Sequence, residues 1–214
     1  MLVLAASDIH GNWETYQWLV EVVDTHHPDL VVLAGDLLGA PESYSTVEAD
    51  QTTHAERLVE VLSPVSVPVL YVMGNDDWIE LPPRPGWHSL HLQRREIGEY
   101  TFVGYQNTPR FMGGPNERTE EKIAQELSQI ECWLDRQTLL VTHGPAYGVL
   151  DGGHGSKALA GLLKRTSVRA HIHGHSHQSF GRSGSQFNVA AGCVRRAMFQ
   201  GRKLIRHSRP LSVS

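Results

Sequence analysis

The chain has 214 residues, 40% of them hydrophobic and 20% charged, with a formal net charge of −4 at pH 7. That length suits one domain that buries most of its apolar surface, so folding requires neither disulfides nor a structural metal. The negative balance argues against a general nucleic-acid binder, and no apolar run approaches the roughly 18 residues of a membrane span.

Residues 2–6 read as a short buried strand directly after Met1. The run is too short for a signal h-region and lacks a basic n-region, so a soluble cytoplasmic protein is expected. In residues 12–26, Trp13, Tyr16, Leu19, Val20 and Val23 recur at helical spacing. Asn12 is the expected N-cap, although it could also contact phosphate, and Pro28 marks the exit. A strand at 30–34, a helix at 55–62 and a strand at 68–73 complete a βαβαβ order, which favours a parallel sheet with crossover helices.

The middle changes character. Residues 89–92, 94–97 and 100–104 read as an antiparallel meander with a Gly98-Glu99 turn. Residues 107–116 read as a surface loop, and 117–133 as a helix with Ile123, Leu127, Ile130 and Leu134 on one face. A strand at 138–141, a helix at 156–164 and strands at 169–172, 186–190 and 194–199 follow. The expected fold is a four-layer α/β/β/α sandwich of two mixed sheets flanked by helices, in a single domain over residues 1–214. Cys132 and Cys193 lack metal-type spacing and are read as two buried thiols. Arg195, Arg196, Arg202, Lys203, Arg206 and Arg209 form a basic cluster, read as a solvated hairpin and tail, with a contact to phosphate-bearing partners as the alternative.

Five polar clusters each follow one of these apolar runs: Asp8-Ile9-His10, Gly35-Asp36, Gly74-Asn75-Asp76-Asp77, Thr142-His143-Gly144 and Gly174-His175-Ser176-His177. Six of the 13 histidines lie between His143 and His177. In open α/β sheets, ligands bind beyond the carboxyl ends of the strands, where all five clusters fall. Along a strand, residues two apart share a side, so Asp8 and His10 are expected to close on one ion. Gly35 leaves room for close backbone approach, and the Asp36 carboxylate can bridge two cations. Asn75 offers a carbonyl oxygen, and His143, His175 and His177 offer imidazole nitrogens. Oxygen and nitrogen donors without thiolate suit two divalent ions, Mn²⁺ first, with Fe, Zn²⁺, Ni²⁺ or Co²⁺ as alternatives, over Ca²⁺. Two such ions about 3.5–4 Å apart polarise a phosphoryl group and generate hydroxide near neutral pH.

The ordered set D-x-H, G-D, G-N-x-D, H and G-H-x-H resembles the calcineurin-like metallophosphoesterase superfamily, in its compact phosphodiesterase-like branch. The resemblance implies that Asp8, His10, Asp36 and His177 hold one metal, while Asp36, Asn75, His143 and His175 hold the other. It also gives Asp36, Asn75 and His143 a share in catalysis. Residues 142–151 and 187–192 look like segments of cyclic-nucleotide-phosphodiesterase-like members. Many relatives carry a His directly after Gly-Asn, in the place of the acid that protonates the leaving oxygen; here that position is Asp76. Relatives that act on phosphoproteins continue Gly-Asp into Asp-Arg-Gly, whereas this chain reads Leu37-Leu38-Gly39.

The function expected is therefore hydrolysis of a small phosphodiester, cyclic nucleotides included, or of an activated phosphomonoester, with neither membrane nor nucleic acid as partner. A phosphoesterase-fold scaffold and a nuclease acting on nucleic acid ends are the alternatives. His171 and His173 are read as buried partners rather than ligands, and His154 as a loop residue able to touch substrate. Tyr44, Trp78, Arg110 and Phe111 could border the site, although surface or core roles are the first reading for each.

Overall fold

The computed structural model describes residues 1–41 and 43–190. Strands β1 (Val3–Ala6), β2 (Leu30–Ala34) and β3 (Val69–Val72) are buried at every position. They alternate with helices α1 (Trp13–His26) and α2 (Val47–Val61). With β4 (Trp87–Ser89) they form a sheet of order β1-β2-β3-β4 in which every pairing is parallel. Near-continuous apolar strands are what a sheet covered on both faces requires.

The second sheet is mixed. It contains the hairpin β5 (Arg94–Ile97) and β6 (Tyr100–Tyr105), then β9 (Thr138–Thr142), β10 (Ala170–His173), β11 (Gly181–Ser183) and β12 (Gln186–Asn188). Its order is β11-β12-β10-β9-β6-β5, with β6, β9, β10 and β12 parallel. A two-stranded ribbon, β7 (Thr108–Pro109) with β8 (Glu117–Arg118), lies apart from it. Helices α3 (Glu120–Leu127) and α4 (Lys157–Arg165) complete the labelled elements.

Strand alternation builds the layers. Leu4, Val31, Leu33 and Tyr71 pack toward Tyr16, Leu19, Ala55 and Leu58 of α1 and α2. Their neighbours Val3, Ala5, Val32 and Leu70 meet Phe102, Leu139, Val141 and Ile172 of the second sheet. The outer face of that sheet, including Val103 and Leu140, receives Ile123, Leu127, Leu159 and Leu162 of α3 and α4. The result is the four-layer α/β/β/α sandwich.

Several local expectations are corrected. Helix α2 begins at Val47 rather than residue 55, because Val47, Gln51, Ala55 and Leu58 share its buried face. Of the expected meander, the second and third runs form an antiparallel hairpin; the first begins earlier, at Trp87, joins β3 in the other sheet, and meets the third only through a parallel bridge between His91 and Gly104. The helix expected over 117–133 divides into β8, α3 and a 3-10 turn at Glu131–Trp133. Thr119 caps α3 by accepting the N–H of Lys122 at 3.3 Å, while Glu117 is engaged elsewhere. Strand β11, which pairs antiparallel with β12, was not anticipated. Cys132 is exposed, not buried. Cys193, the strand expected at 194–199 and the basic cluster lie outside the described residues. No described helix is long and apolar enough to cross a membrane.

Candidate metal centre

The five clusters sit just past the carboxyl ends of β1, β2, β3, β9 and β10, at one edge of the sandwich. The backbone there leaves the strand conformation. Asp8, His10, Asp36 and His175 all have positive φ, at 56°, 47°, 51° and 67°. Asp8 and His10 therefore converge through a left-handed turn, not through strand alternation. Each such residue costs on the order of 1 kcal/mol or more, so the surroundings must hold it. They do so with a ladder between two loops: Asp8 N–H donates to Gly35 O at 2.9 Å, His10 N–H to Asp36 O at 2.9 Å and Gly11 N–H to Leu37 O at 3.0 Å. The close approach expected at Gly35 is to the His143 ring, which a Cβ would strike.

Three groups of side chains could each hold an ion, with ligand atoms within 4.8 Å of one another: Asp8, His10 and His177; Asp36, His143 and His175; His10, Asp36 and Asp76. His177 Nε2 lies 3.0 Å from Asp8 Oδ1. The second Asp36 oxygen, Oδ2, lies 3.7 Å from His10 Nε2 and 3.3 Å from His143 Nε2, so one carboxylate oxygen faces both half-sites. Asn75 joins them with its Oδ1 3.0 Å from His143 Nε2. All seven ligands expected from the sequence are thus brought to one place.

The His143 ring shows that this donor set fits a cation. Its Nδ1 lies 2.9 Å from the Ala34 carbonyl and donates its proton there, which turns the Nε2 lone pair toward the site. Without an ion, a proton on Nε2 supplies the positive charge between the Asn75 and Asp36 oxygens, and a bound cation would take that proton's place. The titration behaviour agrees. Burial opposes charge on His143, but the Asp36 carboxylate and the hydrogen bond to it raise its pKa to about 10. Burial likewise pushes Asp36 up, yet His143 and His10 hold it well below the usual carboxylate range. Burial, reinforced by the charge of His143, lowers His175 to about 4, the neutral form a metal ligand needs.

Asp76 touches both halves of the cluster. Its Oδ1 accepts from Asn75 Nδ2 at 2.9 Å, its N–H donates to Asp36 Oδ1 at 2.9 Å, and its Oδ2 lies 3.9 Å from His10 Nδ1. The first of these bonds fixes which end of the Asn75 amide faces His143. Burial and the charge of Asp36 push the Asp76 carboxyl up.

Asp77 has a different task. Its buried carboxylate accepts the N–H groups of Leu37 at 3.0 Å, Leu38 at 2.8 Å and Gly74 at 2.7 Å, tying the loop after β2 to the loop after β3. Ser7 Oγ supports Asp8 at 2.5 Å, and the His175 N–H donates to the same carboxylate at 3.0 Å. These roles of Ser7 and Asp77 were not anticipated; the second Asp of Asn75-Asp76-Asp77 was their one visible signal. His171 and His173 are fully buried in β10 and belong to none of the three groups. Asn12 caps α1 by accepting the Thr15 N–H at 2.9 Å. A cavity of about 680 Å³ opens over the cluster, lined among others by Tyr44, Trp78, Phe111 and His154, whereas Arg110 is exposed and not part of its lining.

A family model described as calcineurin-like phosphoesterase matches residues 1–179. No curated protein matches the chain. Among solved structures, the chain is similar to TT1561 of Thermus thermophilus, with 18% identity and a TM-score of 0.71 over 97% of this chain and 98% of that one. It is also similar to a dimetal phosphatase from Danio rerio, with 13% identity and a TM-score of 0.66 over 98% and 96% of the two chains. An archaeal phosphodiesterase gives 13% identity and a TM-score of 0.52 over 99% and 100%. At these identities the structural likenesses speak to the fold.

Proposed function

The chain belongs to the calcineurin-like phosphoesterase family, and from that premise we propose that it is a dinuclear metal-dependent hydrolase of phosphodiesters. The observation that carries this reading is the single Asp36 oxygen facing both His10 and His143. Asp8, His10, Asp36 and His177 would hold one ion, and Asp36, Asn75, His143 and His175 the other. When bound, two divalent ions supply Lewis-acid polarisation of the phosphoryl group and a water of lowered pKa. The donor chemistry favours Mn²⁺, with Fe, Zn²⁺, Ni²⁺ and Co²⁺ as alternatives. The Danio rerio relative's name, a dimetal phosphatase, agrees with the dinuclear part of this reading, and the archaeal relative's name, a phosphodiesterase, with the diester part.

Preference for diesters follows from Asp76. Burial and Asp36 push its carboxyl up, but two bound cations would work in the opposite direction and favour its ionised form. An ionised carboxylate cannot protonate a departing alkoxide, and it repels a phosphate dianion more than a monoanion. Monoanionic diesters, 2′,3′- or 3′,5′-cyclic nucleotides among them, and monoesters with aryl leaving groups meet both conditions. The partner this reading assigns is a small phosphoester in the cytoplasm, not a membrane or a polynucleotide.

The test is a panel of phosphomonoesters and phosphodiesters, assayed with metal-stripped protein reloaded with each ion in turn. Hydrolysis of aryl phosphodiesters well above alkyl monoesters supports the proposal. No hydrolysis of any aryl diester with Mn²⁺, Ni²⁺, Co²⁺ or Zn²⁺ would leave a binding or scaffold role instead.

A further inference from the structure

We propose that the cavity over the cluster binds a nucleobase, so that the diester cleaved at this site is a mononucleotide derivative; the inference rests on the phosphodiesterase reading above. Large exposed apolar side chains are few among the described residues: Tyr44, Trp78, Phe111, Met112 and Tyr147. The first four line the same cavity as His10, Asp36, Asn75 and Asp76. Apolar surface concentrated beside convergent polar groups marks a ligand site rather than ordinary surface.

The rings form two walls. On one, the Tyr44 and Trp78 rings lie 6.2 Å apart, edge to face. On the other, Phe111 stands 4.8 Å from His154 and 5.5 Å from His175, so an aromatic path runs from the metal-ligand cluster to the cavity rim. Both walls are held in place by buried or hydrogen-bonded polar groups. Gln51, fully buried in α2, accepts the backbone N–H of Trp78 at 2.6 Å and donates to the Asp76 backbone carbonyl at 2.7 Å. Glu117 accepts the N–H groups of Phe111 at 2.7 Å, Met112 at 2.8 Å and Gly113 at 2.9 Å. One side chain thus links the phosphate end to the Trp78 wall, and another fixes the Phe111 wall.

Flat rings anchored this way suit a flat, polarisable group, and bases stack on aromatic side chains with little sequence preference. Among the described residues no lysine or arginine lines the cavity. A polynucleotide needs a cationic track for its further phosphates, and this lining offers none, which favours a single base with a single phosphoryl group.

The experiment measures calorimetric binding of the monoanionic methyl esters of adenosine 5′-monophosphate and of ribose 5-phosphate to the full chain loaded with Mn²⁺. The two ligands share sugar and phosphate and differ only in the base. The nucleotide should bind about tenfold more tightly. Trp78→Ala and Phe111→Ala should each reduce that preference, and Trp78→Phe should keep most of it. Trp78 and Phe111 are 37% and 51% exposed and belong to none of the three buried core clusters. Equal affinities in the parent protein, no binding of either ligand by protein that hydrolyses aryl diesters, or a preference untouched by both alanine variants would overturn the nucleobase site alone. If neither ligand binds and no diester is hydrolysed, the phosphodiesterase reading fails and the inference with it.

Discussion

His177 Nε2 lies 3.0 Å from Asp8 Oδ1, joining the last of the five polar clusters to the first across 169 positions of sequence. Between them Gly174 passes so close to Asp8 that an added Cβ would strike its carboxylate and the Ser7 hydroxyl. Both neighbours are buried and tightly held, so neither can yield cheaply. Gly174→Ala is expected to destabilise the protein by about 2 kcal/mol or more. It should also displace Asp8 and lose the ion on the His177 side. Thermal unfolding and metal content after dialysis measure the two effects together.

Asp77 should matter for folding more than for chemistry. Removing its carboxylate leaves the buried amides of Leu37, Leu38 and Gly74 without their acceptor. Asp77→Ala is expected to cost about 3 kcal/mol, since each unsatisfied buried donor costs roughly 1–3 kcal/mol and water recovers part of the loss. Denaturant unfolding reads this directly. A stability within 0.5 kcal/mol or so of the parent, the usual range for an inconsequential surface change, would contradict the role.

The pH response of the metal-stripped protein follows from His143. Its pKa stands at about 10 in the fold against 6.5 for a free imidazole: burial opposes the charge, and the Asp36 carboxylate outweighs burial. A raised folded-state pKa gives stability that is fully present below 6.5 and is lost as pH rises through about 10. The stripped protein should therefore lose melting temperature across that window. Reloading with Mn²⁺ should remove most of the dependence, because the ion takes the proton's place between His143 and Asp36. Melting curves with and without chelator test the sign.

Replacing Asp76 should change which leaving groups are tolerated. Asp76→His places a group able to carry a proton beside His10 and Asn75, where the carboxylate now sits. Turnover of alkyl esters should rise relative to aryl esters by about tenfold or more, within the range of general-acid contributions. An unchanged ratio would show that Asp76 does not set the diester preference.

Much of the site was legible because each ligand cluster follows an apolar run long enough to be a buried strand, and parallel strands deliver their carboxyl ends to one edge. The local backbone was not legible. Asp8, His10, Asp36 and His175 turn left-handed, a conformation that Asp and His tolerate but do not announce. Trp87–Ser89 has the alternating character of its neighbours, and only tertiary pairing with Tyr71 and Val69 assigns it to the first sheet. Gln51 fell ahead of the expected start of its helix, so its grip on Trp78 could not be foreseen. Tyr44, Trp78 and Phe111 come from three separate loops, and the fold alone brings them to one cavity.

The most direct measurement of the central claim is a titration of metal-stripped protein with Mn²⁺, following hydrolysis of an aryl phosphodiester and bound metal in the same samples. Activity should reach its plateau only when two ions are bound per chain, and Asp36→Asn should lose both ions and the activity together. Full activity in the stripped protein, a plateau at a single ion, or an Asp36→Asn variant that still binds two ions and turns over would contradict a dinuclear centre bridged by Asp36.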